Sequence, residues 1–129
     1  MNKKIIFITP VLFYDNSAAS KRILGNAKLF NEQGFDVEIY SGKNTLKNNE
    51  FEKGIYIYPS SQKIEKKRSL IKLINYKKNV KSIISRLNNY DFSSIHSIIL
   101  YSGYFIYLYY LTKFCRKQNI RLIFDAVEW

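Results

Sequence analysis

The segment "KKIIFITP" near the start of the chain constrains the fold more than any other feature. Two lysines precede an unbroken apolar run from Ile5 to Ile8, and Pro10 closes the segment. A short strand without polar alternation is buried on both faces, as a central strand of a parallel sheet is, and a proline cannot continue such a strand. The sequence therefore predicts a central parallel strand over residues 3–10.

The rest of the chain alternates between helical and strand patterns. Helices are predicted where apolar residues recur at steps of three and four, and strands where short apolar segments end at glycine or proline. Strands that alternate with helices indicate an α/β fold, here a single Rossmann-like domain with a doubly wound parallel sheet of five strands in the order 3-2-1-4-5. The predicted helices lie within residues 17–34, 70–87 and 104–118, and the further strands within 35–42, 54–59, 93–102 and 120–125.

The second and third helices have different patterns of hydrophobicity. The second is amphipathic, with its lysines mostly outward, and the side chains predicted to point inward are Leu70, Leu73, Ile74, Val80, Ile83, Ile84 and Leu87. The third, "YFIYLYYLTKFCRKQ", is apolar nearly all round in its first turns, which predicts a well-buried helix. Residues 42–53 are predicted to form a surface loop, and residues 60–69 a charged linker.

The composition limits the classes of function. The single cysteine, Cys115, excludes an internal disulfide and indicates a reducing, cytoplasmic compartment, and with one histidine it cannot build a structural zinc site. No metal and no cofactor are expected. Residues 92–112 carry no formal charge over the length of a membrane-spanning helix, but serines, a glycine and tyrosines interrupt them, so they divide more naturally into a strand and a helix.

The charge of the chain is +11, and it is concentrated in the middle third. Residues 43–88 contain twelve Lys/Arg and three acids, a net charge of +9. Such a surface suits phosphates, nucleic acid or an anionic membrane, or it is a solvated face. No nucleic-acid reader motif accompanies it, so no nucleic-acid partner is expected. Residues 63–86, with nine Lys/Arg and one acid, are the predicted contact with an anionic membrane surface.

Three loops should meet at the carboxyl edge of the sheet, where ligands bind in open α/β folds: residues 10–20, 101–104 and 125–129. The first has no Gly-x-Gly-x-x-Gly, but the start of a helix can hold an anion. Asp125 and Glu128 are candidate catalytic residues, as a general base or as acceptors from sugar hydroxyls. For the residues of all three loops, the alternative to a functional role is a structural one, in capping an element or turning the chain tightly. The candidate substrate-binding residues are Asn16, Ser17, Ser20, Lys21, Ser102, Gly103 and Tyr104.

Two long segments, "IIFITPVLFYDNSAASKRILGNAKLFNEQGFDVEIYSG" and "CRKQNIRLIFDAVEW", resemble the N-terminal domain of GT-B glycosyltransferases. More narrowly, they resemble the bacterial family 4 type of cell-surface polysaccharide assembly. "NEQGFDVEIYS" is similar to the family's Gly-His-x-Val element, with Phe35 in place of histidine. Where family members often carry a Gly-Gly pair, this chain has "SAAS" at residues 17–20.

The resemblance implies that residues 1–129 are the acceptor-side half of a retaining glycosyltransferase whose C-terminal donor domain is absent, so that the chain alone is inactive. The implied partners are a nucleotide-sugar donor, bound through that missing domain, and a glycan or lipid-linked acceptor. The implied location is cytoplasmic, peripheral at the inner membrane face. The alternative is a non-catalytic remnant of such an enzyme that docks on a membrane or a partner.

Overall fold

The structure is a computed structural model that describes residues 2–10, 17–41, 50–59, 69–102 and 105–126. Within these ranges the helices and strands follow the order that the sequence predicts, with one extra short strand. They are β1 (Lys4–Thr9), α1 (Ala18–Glu32), β2 (Asp36–Ser41), β3 (Glu50–Glu52), β4 (Ile55–Pro59), α2 (Ser69–Leu87), a 3₁₀ turn (Phe92–Ser94), β5 (Ile95–Tyr101), α3 (Phe105–Gln118) and β6 (Arg121–Asp125).

The sheet has the order β3-β4-β2-β1-β5-β6. Its five long strands β4, β2, β1, β5 and β6 are mutually parallel, which confirms the doubly wound sheet of order 3-2-1-4-5. The prediction of a loop over residues 42–53 was wrong in its last part. There, β3 pairs antiparallel with β4, because Gly54, at φ +84°, turns the chain back on itself.

The end of α1 fixes the entry into β2. Gly34 has φ +95°, its N–H donates to the carbonyl of Asn31, and the N–H of Phe35 donates to the carbonyl of Phe30. These bonds form a Schellman motif, and the Phe30 and Phe35 rings supply its apolar contact at 6.3 Å. The helix therefore stops where the glycine in the sequence predicts.

Helices cover both faces of the sheet. Ile23 and Ala27 of α1 pack on one face, against residues such as Phe7 and Ile39. On the other face, Val80 and Ile83 of α2 and Leu111 of α3 pack against Ile6, Ile8, Ile98 and Leu100. Because β1 contributes alternate residues to both cores, it is the central buried strand that its apolar run predicts.

The predicted burial of α2 and α3 is only half right. Val80, Ile83 and Leu87 are buried, but Leu70 is 69% exposed and Ile74 is 48% exposed. In α3, Tyr107, Leu111 and Phe114 are buried, whereas Phe105 is 72% exposed and Tyr109 is also exposed. The first turns of both helices therefore carry an apolar surface that the sequence pattern had assigned to the core.

Candidate functional site

The start of α1 lies at the carboxyl edge of the sheet, as the sequence predicts. Ser17 is the N-cap: its hydroxyl accepts from the N–H of Ser20 at 3.0 Å and lies 2.6 Å from the Ser20 hydroxyl. Ser20 is buried and Lys21 is exposed. These bonds are those of ordinary helix capping, which the sequence left open beside anion binding.

The end of β6 meets α1 at the same edge. The Asp125 carboxylate accepts from Arg22 at 2.8 Å, and the guanidinium of Arg22 lies 5.8 Å from the ring centre of Tyr101. The N–H of Ser102, which has φ +52°, donates to the carbonyl of Asp125 at 3.1 Å. The carboxylate of Asp125 is thus in an ion pair with a cation that the sequence analysis did not connect with it.

The structure brings five predicted site residues to one edge: Ser17, Ser20, Lys21, Ser102 and Asp125. Asn16, Gly103, Tyr104 and Glu128 lie outside the described residues. No contact among the described residues tests catalytic or substrate-binding roles for either group, so those roles stay predictions.

A second surface at this edge was missed by the sequence analysis. The first turns of α2 and α3 lie side by side and enclose a groove of about 270 Å³. We call it the α2–α3 groove, and it is lined by Leu70, Leu73, Ile74, Lys77, Phe105, Ile106, Tyr109 and Tyr110. An exposed cluster of this size, made of large apolar side chains, marks an interaction surface more often than a solvated one.

Cations surround the α2–α3 groove. Lys77 lines it, the Lys81 ammonium lies 5.6 Å from the Tyr110 ring centre, and that of Lys113 lies 4.9 Å from the Tyr109 ring centre. The Lys113 ammonium also donates to the Tyr109 hydroxyl at 3.1 Å, and this bond raises the pKa of Lys113. Along its whole length α2 has five basic residues and no acidic one. The groove is therefore an apolar surface with a positive rim.

The length of α2 explains why this groove is exposed. An apolar stripe that continues over 19 residues gives a helix about 28 Å long, whereas a strand of seven residues spans about 23 Å. The helix must therefore extend beyond the strands that it covers. The predicted lengths concealed this surplus, because the predicted strand over residues 93–102 is three residues longer than β5.

A buried carboxylate lies at the other end of α2. Glu38 accepts from Lys4 at 2.7 Å and from the Tyr90 hydroxyl at 2.6 Å, and the Tyr40 hydroxyl lies 2.7 Å from that of Tyr90. Burial, followed by the hydrogen bond with Tyr90, raises the pKa of Tyr40, and burial, followed by the hydrogen bond to Glu38, raises the pKa of Tyr90. Because both carboxylate oxygens have partners, this cluster ties β1 and β2 to the segment after α2 and is structural.

In the part of the chain that the structure describes, the other reactive groups are not gathered into a site. Cys115 is buried, and burial raises the pKa of its thiol to about 11. Within the described ranges, no three His, Cys, Asp or Glu side chains lie together as metal ligands would. Of the helices in those ranges, none combines the length and the hydrophobicity that crossing a membrane requires.

Comparisons with known proteins support the fold alone. No protein-family model matches the chain, and no curated protein matches it. Among solved structures, it is similar to the C-terminal domain (residues 78–226) of the PF1911 hydrogenase from Pyrococcus furiosus, with a TM-score of 0.67 and 16% sequence identity. The similarity covers 96% of this chain and 91% of the other. At that identity the similarity shows that the two chains share an α/β architecture, and it is not evidence of a shared activity.

These findings contradict the resemblance to GT-B glycosyltransferases. No family model supports it, and the solved structure to which the chain is similar is a domain of a hydrogenase. The physical reason is that the segments that carried the resemblance are a buried strand, a helix ending at glycine and a second strand, which every doubly wound sheet needs. The acceptor-side enzyme half, and the remnant of such an enzyme, are accordingly wrong. The nucleotide-sugar and acceptor partners rested on that resemblance, and no described contact bears on them.

Proposed function

We propose that this domain is a peripheral membrane-binding module that docks on anionic lipid at the inner, cytoplasmic face of a membrane. Its binding surface is the α2–α3 groove with its lysines. The observation that carries the proposal is the exposure of Leu70, Ile74 and Phe105 beside a helix with five cations and no acid.

The chemistry of this surface matches an anionic lipid interface. Apolar and aromatic side chains enter the boundary between headgroups and acyl chains, and lysines around them are attracted to the headgroup charges. Tyr109 and Tyr110 supply rings with a polar end, which favour that boundary. A neutral apolar partner would leave the positive rim without counter-charges, so charge complementarity favours the anionic surface over a protein groove of ordinary composition.

The free cysteine and the anionic leaflet favour the same compartment. Cys115 is unpaired, as thiols in a reducing cytoplasm are. The cytoplasmic leaflet carries the negative surface potential, and each lysine near it contributes about 1 kcal/mol of attraction.

Vesicle flotation of the 129-residue chain tests this proposal. We expect the chain to float with vesicles that contain phosphatidylserine or phosphatidylglycerol, and to stay behind with vesicles of phosphatidylcholine alone. Replacing Lys77 and Lys81 by glutamine should weaken binding roughly thirtyfold, since two lysines at about 1 kcal/mol each are removed. Phe105→Ser should weaken it as well, because the ring no longer enters the interface.

The matched control replaces Lys21 and Lys28 of α1, on the opposite face of the sheet, by glutamine. This variant has the same net charge, so it should bind almost as tightly as the native chain if the α2–α3 groove is the contact. Equal weakening by both double substitutions would show that net charge alone drives association and would overturn the proposal. Absence of binding to anionic vesicles would overturn it too.

A further inference from the structure

The strand β6 is the outer strand of the sheet on the side away from β3. In the described part of the chain, no strand pairs with its outer edge. Two of its five residues are large, apolar and exposed: Ile123 at 42% and Phe124 at 44%. An open edge with exposed apolar side chains is a template for pairing with another strand.

The backbone of β6 determines which groups are available at that edge. The carbonyl of Asp125 accepts from Ser102, so it points toward β5. Successive residues of a strand direct their N–H and C=O groups to opposite sides. The backbone N–H and C=O groups of Arg121 and Ile123 therefore also point toward β5. The N–H and C=O groups of Leu122 and Phe124 therefore point outward and have no ladder partner among the described residues.

We infer that β6 pairs antiparallel with β6 of a second copy of this chain, around a two-fold axis at Ile123. In this register Arg121 lies opposite Asp125 of the second copy, and the reverse contact repeats across the axis. Leu122 lies opposite Phe124 of the second copy, and the two Ile123 side chains meet at the axis. The strand sequence "RLIFD" is thus complementary to itself in charge and in apolar character.

The hydrogen-bond pattern agrees with this register. An antiparallel pair alternates between hydrogen-bonded and non-hydrogen-bonded residue pairs. The outward groups of Leu122 and Phe124 fall in hydrogen-bonded pairs, and Ile123 falls in the non-hydrogen-bonded pair, where side chains approach most closely. If the register shifted by one residue, residues whose backbone N–H and C=O groups point outward would lie opposite residues whose groups point toward β5. A slip by two residues would separate Arg121 from its acidic partner.

The side chains of the charged residues are on the side of the sheet that the pairing requires. Asp125 reaches Arg22 of α1, so its carboxylate lies on the α1 face, and the strand alternation puts Arg121 and Ile123 on that same face. One carboxylate oxygen of Asp125 binds Arg22, and the other makes no hydrogen bond within the described residues. An arginine of the second copy can bind that second oxygen.

A second copy is the occupant that the charges select. An unrelated strand would need its own acid opposite Arg121 and its own cation opposite Asp125, whereas a second β6 supplies both by symmetry. The surface differs from the α2–α3 groove, so this inference stands independently of membrane binding.

Sedimentation equilibrium of the 129-residue chain at about 0.15 M salt, where the charge of +11 on each copy is largely screened, tests the pairing. We expect a monomer–dimer equilibrium. Arg121→Asp and Asp125→Arg should each weaken dimerisation by about tenfold or more, since two attractive pairs per dimer become repulsive. An equimolar mixture of the two variants should form a heterodimer, because every pair across the axis is then attractive again.

A second pair of variants tests the pairing without changing charge. Phe124→Pro removes an outward N–H and leaves the bonds to β5 intact, so it should abolish the dimer while the monomer stays folded. Phe124→Ala keeps that N–H and should still dimerise. A monomer at all concentrations, or a dimer that is indifferent to Phe124→Pro and to Arg121→Asp, would overturn the inference.

Discussion

The two halves of α2 have the same amphipathic sequence pattern and opposite surroundings. In the second half, Val80 and Ile83 pack against the sheet, and Arg86 lies over the rings of Tyr40 and Tyr58. In the first half, Leu70 and Ile74 lie beside α3 and remain exposed. A periodic stripe therefore shows which side of a helix is apolar. Whether that side is core or binding surface depends on how far the sheet extends beneath it.

The largest expected difference between the two halves is in stability. Ile83→Ala should lower the free energy of unfolding by about 3 kcal/mol, because it removes a buried side chain and leaves a cavity. The matched change Ile74→Ala, in the same helix, should alter it by less than about 0.5 kcal/mol, because that side chain is half exposed. Urea unfolding measures both. Equal losses would mean that the first half of α2 is packed as tightly as the second.

A smaller change is expected at Asn79, on the buried side of α2. It is fully buried, and neither its Nδ2 nor its Oδ1 has a hydrogen-bond partner among the described residues. Asn79→Leu should raise the free energy of unfolding by about 1 kcal/mol, because an unsatisfied polar group is replaced by an apolar one of similar shape. Urea unfolding with Asn88→Leu, an exposed position just after the helix, as the control checks this. A loss of stability would indicate that Asn79 has a polar partner.

The smallest effect at neutral pH comes from the Glu38 cluster, and it grows as the solution becomes alkaline. Burial lowers the pKa of Lys4, but its hydrogen bond to Glu38 and the neighbouring negative charges together outweigh burial, so the pKa is raised overall. The pKa values of Tyr40 and Tyr90 are raised as well, first by burial. For all three groups the folded state holds its proton more tightly than the unfolded state, so stability should fall as the pH rises above about 10.

Urea unfolding as a function of pH measures this fall, and Tyr90→Phe is the variant that tests its source. Removing the Tyr90 hydroxyl removes one group whose proton is retained on folding, so the variant should show a shallower alkaline decline. If the stability of Tyr90→Phe falls as steeply with pH as that of the native chain, groups other than Tyr90 cause the alkaline decline. The first half of α2, far from the cluster, should bind anionic vesicles equally well in this variant.

The sequence predicted the sheet because a strand that is buried on both faces has an unbroken apolar run. The apolar run of β1, the glycine after α1 and the alternation of helices with strands were sufficient for the order 3-2-1-4-5. The sequence also placed Ser17 and Asp125 at one edge, since the carboxyl ends of parallel strands meet there. It could not pair Asp125 with Arg22, because the two are 103 positions apart and only the crossover connections bring them together.

Sequence by itself thus determined the helices and the five long strands, though not the short strand β3, since these elements depend on local periodicity, capping and turn residues. Tertiary structure alone decided which apolar side chains are covered. Leu70 and Phe105 fit a core as well as Val80 does, but α2 is longer than the strands beneath it. Ile123 is exposed on β6, which is the outer strand among the described residues. Burial is a property of the neighbours that the fold supplies, and no local pattern contains it.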